Sequence, residues 1–143
     1  MPTLFTRIIE GEVPARFVWR DDHCVGFLTI APIRPGHTLV VPRLEIEHWV
    51  DLPPNLATHL MLTAQKVARG IKLTFPCRKV GLMIAGLEVP HVHLHLTPID
   101  EITDMDFAKQ DHDPPVAVLD DAAERIRSAL EALGFSEATG LPA

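Results

Sequence analysis

The chain has 143 residues, 47% of them hydrophobic, a size and apolar share that suit one globular domain with one proper core. Its 19 acidic against 13 basic residues leave a net charge of −6, which excludes binding to nucleic acid through broad phosphate neutralisation, so a nucleotide partner has to be small and locally held. Cys24 and Cys77 stand far apart with no CxxC spacing. Neither a disulfide framework nor a thiol-rich zinc site is indicated, in keeping with a reducing, cytoplasmic setting. The run VGLMIAGL at 80 to 87 is too short to span a bilayer, and MPTLFTRIIEGEV carries acids with little apolar length. No export signal and no membrane association are expected.

In chain order, Thr3 as N-cap and Gly11 as stop bound a short helix over LFTRIIE that turns Phe5, Ile8 and Ile9 inward. RFVWR and CVGFLTI read as β segments joined by Asp21-Asp22-His23, an antiparallel hairpin. APIRPG at 31 to 36 is a Pro/Gly loop, and HTLVV at 37 to 41 is a third strand ended by Pro42. Asp51, Pro53 and Pro54 open a long helix over 53 to 73, whose Leu56, Leu60, Ala64, Val67 and Ile71 recur at helical spacing. KVGLMIA at 79 to 85 and HVHLHLT at 91 to 97 are the last two strands, separated by a turn containing Gly86. After Pro98 the composition turns acidic through Asp113 without periodicity, which predicts an extended acidic loop. A helix from about Asp120 to Leu133 closes the chain, with Ile126, Leu130 and Leu133 on one side and Gly134 as stop. Strands in hairpins with segregated helices make the class α+β with an antiparallel sheet. Residues 1–98 form the core of the unit, and 99–143 supply the acidic loop and last helix of the same single domain.

The stretch HVHLHLTP places His91, His93 and His95 on alternate positions. On a strand they share one face and form a row about 13 Å long. A solvated polar face is one reading, but any polar residue would serve there. A metal site is a second: His91 and His93 can share zinc, with His37 or Glu88 as a further ligand. The third is nucleophilic chemistry. A neutral imidazole attacks well near pH 7, while its neighbours donate hydrogen bonds or a proton, and a charge on one ring disfavours charge on the next.

These residues resemble the histidine triad family, whose His-apolar-His-apolar-His signature HVHLHLT matches, with Thr97 where a second apolar residue is usual. FTRIIEGEVPA at 5 to 15, the Asp21-Asp22 turn, PGHTLVVP at 35 to 42 and AGLEVPH at 85 to 91 agree in order, so the similarity covers about Phe5 to Pro98. The resemblance implies a five-stranded antiparallel sheet with one long central helix, a short N-terminal and a C-terminal helix, paired into a homodimer. It also implies an enzyme, a nucleotide phosphoramidase-like hydrolase or nucleotidyl transferase that attacks the α-phosphorus through a nucleotidyl-histidine intermediate, with no cofactor and a purine nucleoside monophosphate derivative as the expected substrate. By position, His93 is the nucleophile, oriented by the carbonyl of His91. His95 touches a non-bridging phosphate oxygen, and His91 and His37 support the phosphate and departing group. Phe5, Ile8, Val13, Phe27 and Ile30 match an apolar slot for the base.

The match breaks at several places. Thr29 stands where an acidic residue typically grips the ribose, so ribose recognition should be weaker. Leu87 replaces a phosphate-binding Gln, and Glu88, counted with Thr29 among the nucleotide-contacting positions, opposes an anion unless protonated or turned away. The positions that give some relatives a structural zinc are Thr3, Thr6 and Glu45, so no metal is expected. Two competitors remain: a catalytically weak nucleotide-binding or regulatory module of the same fold, and a His-ligated metal protein. The two-histidine phosphoesterases, which share the HxT element of His95-Leu96-Thr97, need a second HxT that this sequence lacks.

Overall fold

A computed structural model describes residues 1–142. Thr3 accepts from the Thr6 N–H at 3.1 Å and starts helix α1, Leu4–Ile9. Strands β1 (Phe17–Arg20) and β2 (Cys24–Leu28) form the hairpin. Its turn is held by one Asp21 carboxylate oxygen, which accepts from the N–H groups of both His23 and Cys24 at 2.8 Å. Strand β3 (Thr38–Pro42), helix α2 (Pro54–Thr74), strands β4 (Lys79–Met83) and β5 (Leu94–Ile99), and helix α3 (Val116–Ala132) follow. The five strands pair antiparallel in the order β1-β2-β3-β5-β4, the α+β sheet that the sequence predicts.

Both sheet faces are covered, which is why every residue of β2 and β3 is buried. On one face α2 brings Leu60, Ala64, Val67 and Ile71 against Ile126 and Leu130 of α3 and against Val40, Leu94 and Leu96 of the strands. On the other, Phe5, Ile8 and Ile9 of α1 pack on Phe17, Val25, Phe27, Leu39 and Val41. A bulge between Phe17 and Trp19 shifts β1 so that Val18 and Trp19 both enter the first core. Gly26 faces Trp19 there, and a Cβ at that position would lie 3.1 Å from the Trp19 Cβ. Among the described residues no helix is long and apolar enough to cross a membrane.

Four expectations are corrected. Helix α3 begins at Val116, four residues early, because Pro115 sets its entry while Val116 and Val118 face solvent and so escape the apolar stripe. Leu133 lies past the last helical residue and is exposed rather than inward. Strand β5 starts at Leu94: before it, the N–H of His91 bonds to the Val89 carbonyl and that of Val92 to the Ile46 carbonyl, outside the ladder. The acidic stretch is no free loop. It winds into two 3-10 turns, Ile102–Met105 and Phe107–Lys109: the Asp104 carboxylate accepts from the N–H groups of Asp100 and Glu101 at the first, and Asp106 accepts from the Ala108 N–H at the second. Arg34 of the 31–36 loop pins it by pairing with Asp100 at 3.1 Å and Asp104 at 3.3 Å.

Candidate active site

His95 sits in β5 between Leu39 of β3 and Met83 of β4. His93 lies just ahead of the strand, its ring 4.8 Å from that of His95. Both are largely buried, 5% and 9% exposed, and they face the side of the sheet that carries α1. Phe5 meets the His93 ring edge-on at 4.8 Å, and Phe107 meets His95 in the same way at 4.9 Å.

The hydrogen bonds assign the proton on each neutral ring, because a carbonyl only accepts and a backbone N–H only donates. His93 Nδ1 lies 2.7 Å from the His91 carbonyl, so it carries the proton and donates, leaving the lone pair on Nε2. Ile33 N–H donates to His37 Nδ1 at 3.0 Å, so His37 keeps its proton on Nε2 and donates to His95 Nδ1 at 2.9 Å. His95 must then carry its own proton on Nε2. One ring thus presents a bare nitrogen and its neighbour an N–H. His91 Nε2 donates to the Pro42 carbonyl at 2.8 Å, and Nδ1 accepts from the Thr3 hydroxyl at 2.7 Å.

Electrostatics keep the set uncharged. Burial pushes the His95 imidazolium down to about 3, helped by His93 and His37, and burial together with the repulsion that a protonated His93 would exert pushes His37 down to about 4. Burial also lowers His93 and His91, although the His91 carbonyl and the nearby Glu88 carboxylate oppose the shift at His93.

A cavity of about 80 Å³ opens onto His93 and His95, lined also by Ala85, Gly86, Leu87, Glu88 and Phe107. That is the space of two to three waters, enough for a phosphate-sized group but not for a nucleoside. A larger open groove of about 580 Å³ between α2 and β4 carries Arg69, Lys72, Arg78 and Lys79 but no histidine, so size alone does not choose the site.

The structure brings together only some of the expected residues. His93, His95 and Glu88 share the cavity, with Glu88 exposed at its edge. His37 and His91 stand behind them with both ring nitrogens held by protein groups, so they reach a ligand through His95 and His93 rather than directly. The same occupancy removes His91 as a metal ligand beside His93. Phe5, Ile8 and Phe27 are packed into the second core with Val13 half-buried against them, whereas Ile30 is 73% exposed. Thr29 turns its hydroxyl to the Ala31 N–H at 3.2 Å.

Phe107 was missed. Its only signal was a lone aromatic within the acidic stretch. At the positions where some relatives hold zinc, Glu45 accepts from the Thr3 N–H and the Thr6 hydroxyl, both at 2.7 Å. Two neutral hydroxyls, a carboxylate and an imidazole already bonded on both nitrogens do not fit a structural zinc, which favours thiolates and free imidazoles.

Comparison with known proteins agrees with this architecture. The family model for the HIT domain matches residues 10–102. An uncharacterized HIT-like protein of Methanocaldococcus jannaschii is 36% identical over 99 residues, covering 66% of this chain and 77% of the relative. A hypothetical histidine triad nucleotide-binding protein from Sulfolobus tokodaii superposes with a TM-score of 0.80 at 25% identity, covering 90% of this chain and 92% of the other. A zinc-bound histidine triad family protein from Mycobacterium smegmatis superposes at 0.79 with 26% identity, covering 92% and 94%. With the signature motif, the five-stranded sheet and the matched length in agreement, the chain belongs to the histidine triad (HIT) family.

Proposed function

We propose that this chain is a nucleotide-binding hydrolase or nucleotidyl transferase in which His93 attacks the α-phosphorus of a nucleoside monophosphate derivative, a purine one by expectation. The observation that carries the reading is the bare Nε2 of His93 beside the Nε2–H of His95, both facing a phosphate-sized cavity. The P–N bond forms as the bond to the leaving group breaks, the leaving group departing with a proton taken from solvent that the later attack of water returns, and His95 donates its hydrogen bond to a non-bridging oxygen as charge builds there. Water or another acceptor then takes the nucleotidyl group and restores neutral His93. His37 and His91 act as positioning residues by fixing the tautomer of His95 and the carbonyl that aims His93. The base lies outside the cavity, by expectation along Ile30, and the segment 99–143, whose last residue lies outside the described ones, belongs to the same domain, a reading supported by Phe107 lining the cavity. The nucleotide-binding description of the Sulfolobus tokodaii protein supports this reading.

Rapid quenching with adenylate and guanylate phosphoramidate substrates tests it. An acid-labile, alkali-stable label on the denatured protein is expected, together with a loss of at least about 10²-fold in turnover for His93→Ala. No label with any substrate, and unchanged turnover in the variant, overturns it.

A second reading, a binding module without turnover, is favoured by Glu88 at the cavity edge and by Leu87, 94% exposed where a phosphate donor is expected. Calorimetry separates the two: equal, tight binding by wild type and His93→Ala with no turnover in either selects the module.

A further inference from the structure

A second cluster of chemically active side chains lies on the opposite face of the sheet, where β2 packs beneath α2. Asp21 comes from the β1–β2 turn, Cys24 opens β2, and His59 projects from α2. Their donor atoms all lie within 4.8 Å of one another. His59 Nε2 is 2.8 Å from one Asp21 carboxylate oxygen, and the Cys24 thiol is 3.4 Å from the same atom. No residue of this group takes part in the histidine row.

We propose that Asp21, Cys24 and His59 bind a single thiophilic divalent cation of the zinc class, which ties the β1–β2 turn to α2.

The charges balance. A carboxylate and a thiolate offset the two positive charges of the ion, and the imidazole adds a neutral donor of the kind zinc favours. The ion takes the place of two protons that now point at one oxygen. Cys24 releases its thiol proton to solvent, and His59 keeps a single proton, moved to Nδ1, so that Nε2 is free to bind. In a tetrahedral zinc site with ordinary bond lengths the donors lie about 3.3 to 3.8 Å apart, so adjustments of about an ångström suffice. His59 is a third exposed, which gives its ring that freedom and gives the ion a way in. The fourth position falls to water or to His23, whose exposed ring lies 4.9 Å from that of His59.

The surroundings already hold the carboxylate in a metal-ready state. Burial pushes Asp21 up, but the Trp19 indole, the N–H of His23, His59 and the N–H of Cys24 together outweigh it and hold the group well below the usual carboxylate range. The Trp19 indole N–H, at 2.9 Å, and the two turn N–H groups remain on the carboxylate when the metal binds and fix its direction. The Thr63 hydroxyl, which accepts from the Cys24 thiol at 3.6 Å, can rotate its proton to donate to the thiolate. Without a metal, burial pushes the Cys24 thiol up to about 12, so this sulfur has no role as a free nucleophile near pH 7.

Cobalt titration of the full chain under reducing, anaerobic conditions tests the proposal, because a thiolate-to-cobalt charge-transfer band in the near ultraviolet reports sulfur ligation. One equivalent is expected to produce the band in wild type, in Cys77→Ser and in His93→Ala, and zinc should bleach it. Cys24→Ser should abolish the band, and His59→Ala should weaken binding by about 10- to 100-fold. His59 is only partly buried, so that variant decides the matter if Cys24→Ser fails to fold. No band in wild type, a band that survives in folded Cys24→Ser or disappears with Cys77→Ser, or undiminished affinity in His59→Ala overturns it.

Discussion

The proton on each ring of the site is set by single hydrogen bonds, and this neutrality is coupled to stability. In the unfolded chain a histidine titrates near 6.5, whereas burial holds His37 at about 4 and His95 at about 3 in the fold. Between those limits the unfolded state binds protons that the folded state refuses, so stability is complete above 6.5 and declines as pH falls toward 4. We expect urea denaturation to lose a few kcal/mol between pH about 7 and about 4.5, with a shallower decline in His37→Gln. A flat profile would mean that the rings are charged or solvated in the fold. Two positions farther along β5, Thr97 is buried and its hydroxyl has no hydrogen-bond partner among the described residues. Val keeps the shape and removes the stranded hydroxyl. Thr97→Val should therefore be neutral or stabilising by up to about 1 kcal/mol in the same assay, and a loss of 2 kcal/mol or more would reveal a hidden partner.

Elements matter through what their ends deliver. The 31–36 loop hands the Ile33 N–H to His37, and the loop is fixed in turn by Gly36, whose φ of 97° lies in the left-handed region. A Cβ there would also lie 2.6 Å from the Phe75 ring. Gly36→Ala should cost about 1 to 3 kcal/mol in denaturant and slow turnover by loosening the His37–His95 pair. Unaltered stability and turnover would show that the loop does not set that geometry. The acidic segment works in the same way from the other side. Its aspartates, scattered as sequence, cap their own turns, while Gln110 donates to the Ala31 carbonyl at 2.9 Å and Arg34 reaches across to Asp100 and Asp104. Phe107 is thereby carried onto His95, a link that charge composition did not reveal.

In the whole molecule the sheet keeps two chemistries apart: the histidines on the α1 face, and Asp21, Cys24 and His59 on the face beneath α2. β4 is the outer strand of the sheet, with no further strand beyond it among the described residues and with Leu73 and Leu82 exposed, an arrangement that single chains usually cover or charge. The homodimer that the family resemblance implies would cover it. Sedimentation equilibrium should then return twice the chain mass at micromolar concentration, and a single chain mass across that range would remove the dimer from the reading. The strand alternation, the stripe of Leu60, Ala64, Val67 and Ile71, the Thr3 cap and the row of three histidines were legible in the sequence. Each is a local pattern with a fixed period or a single-residue cause. The resemblance already set His93 against the His91 carbonyl, but the tautomers of His91, His37 and His95 were not legible, because they depend on what lies opposite each ring: Thr3, 88 residues from His91, or the Ile33 N–H presented by a neighbouring loop. Burial of the expected base slot into a second core and the arrival of Phe107 over His95 were likewise decided by packing between distant segments. Sequence periodicity specifies which way a side chain faces, and only the folded chain specifies what it meets there.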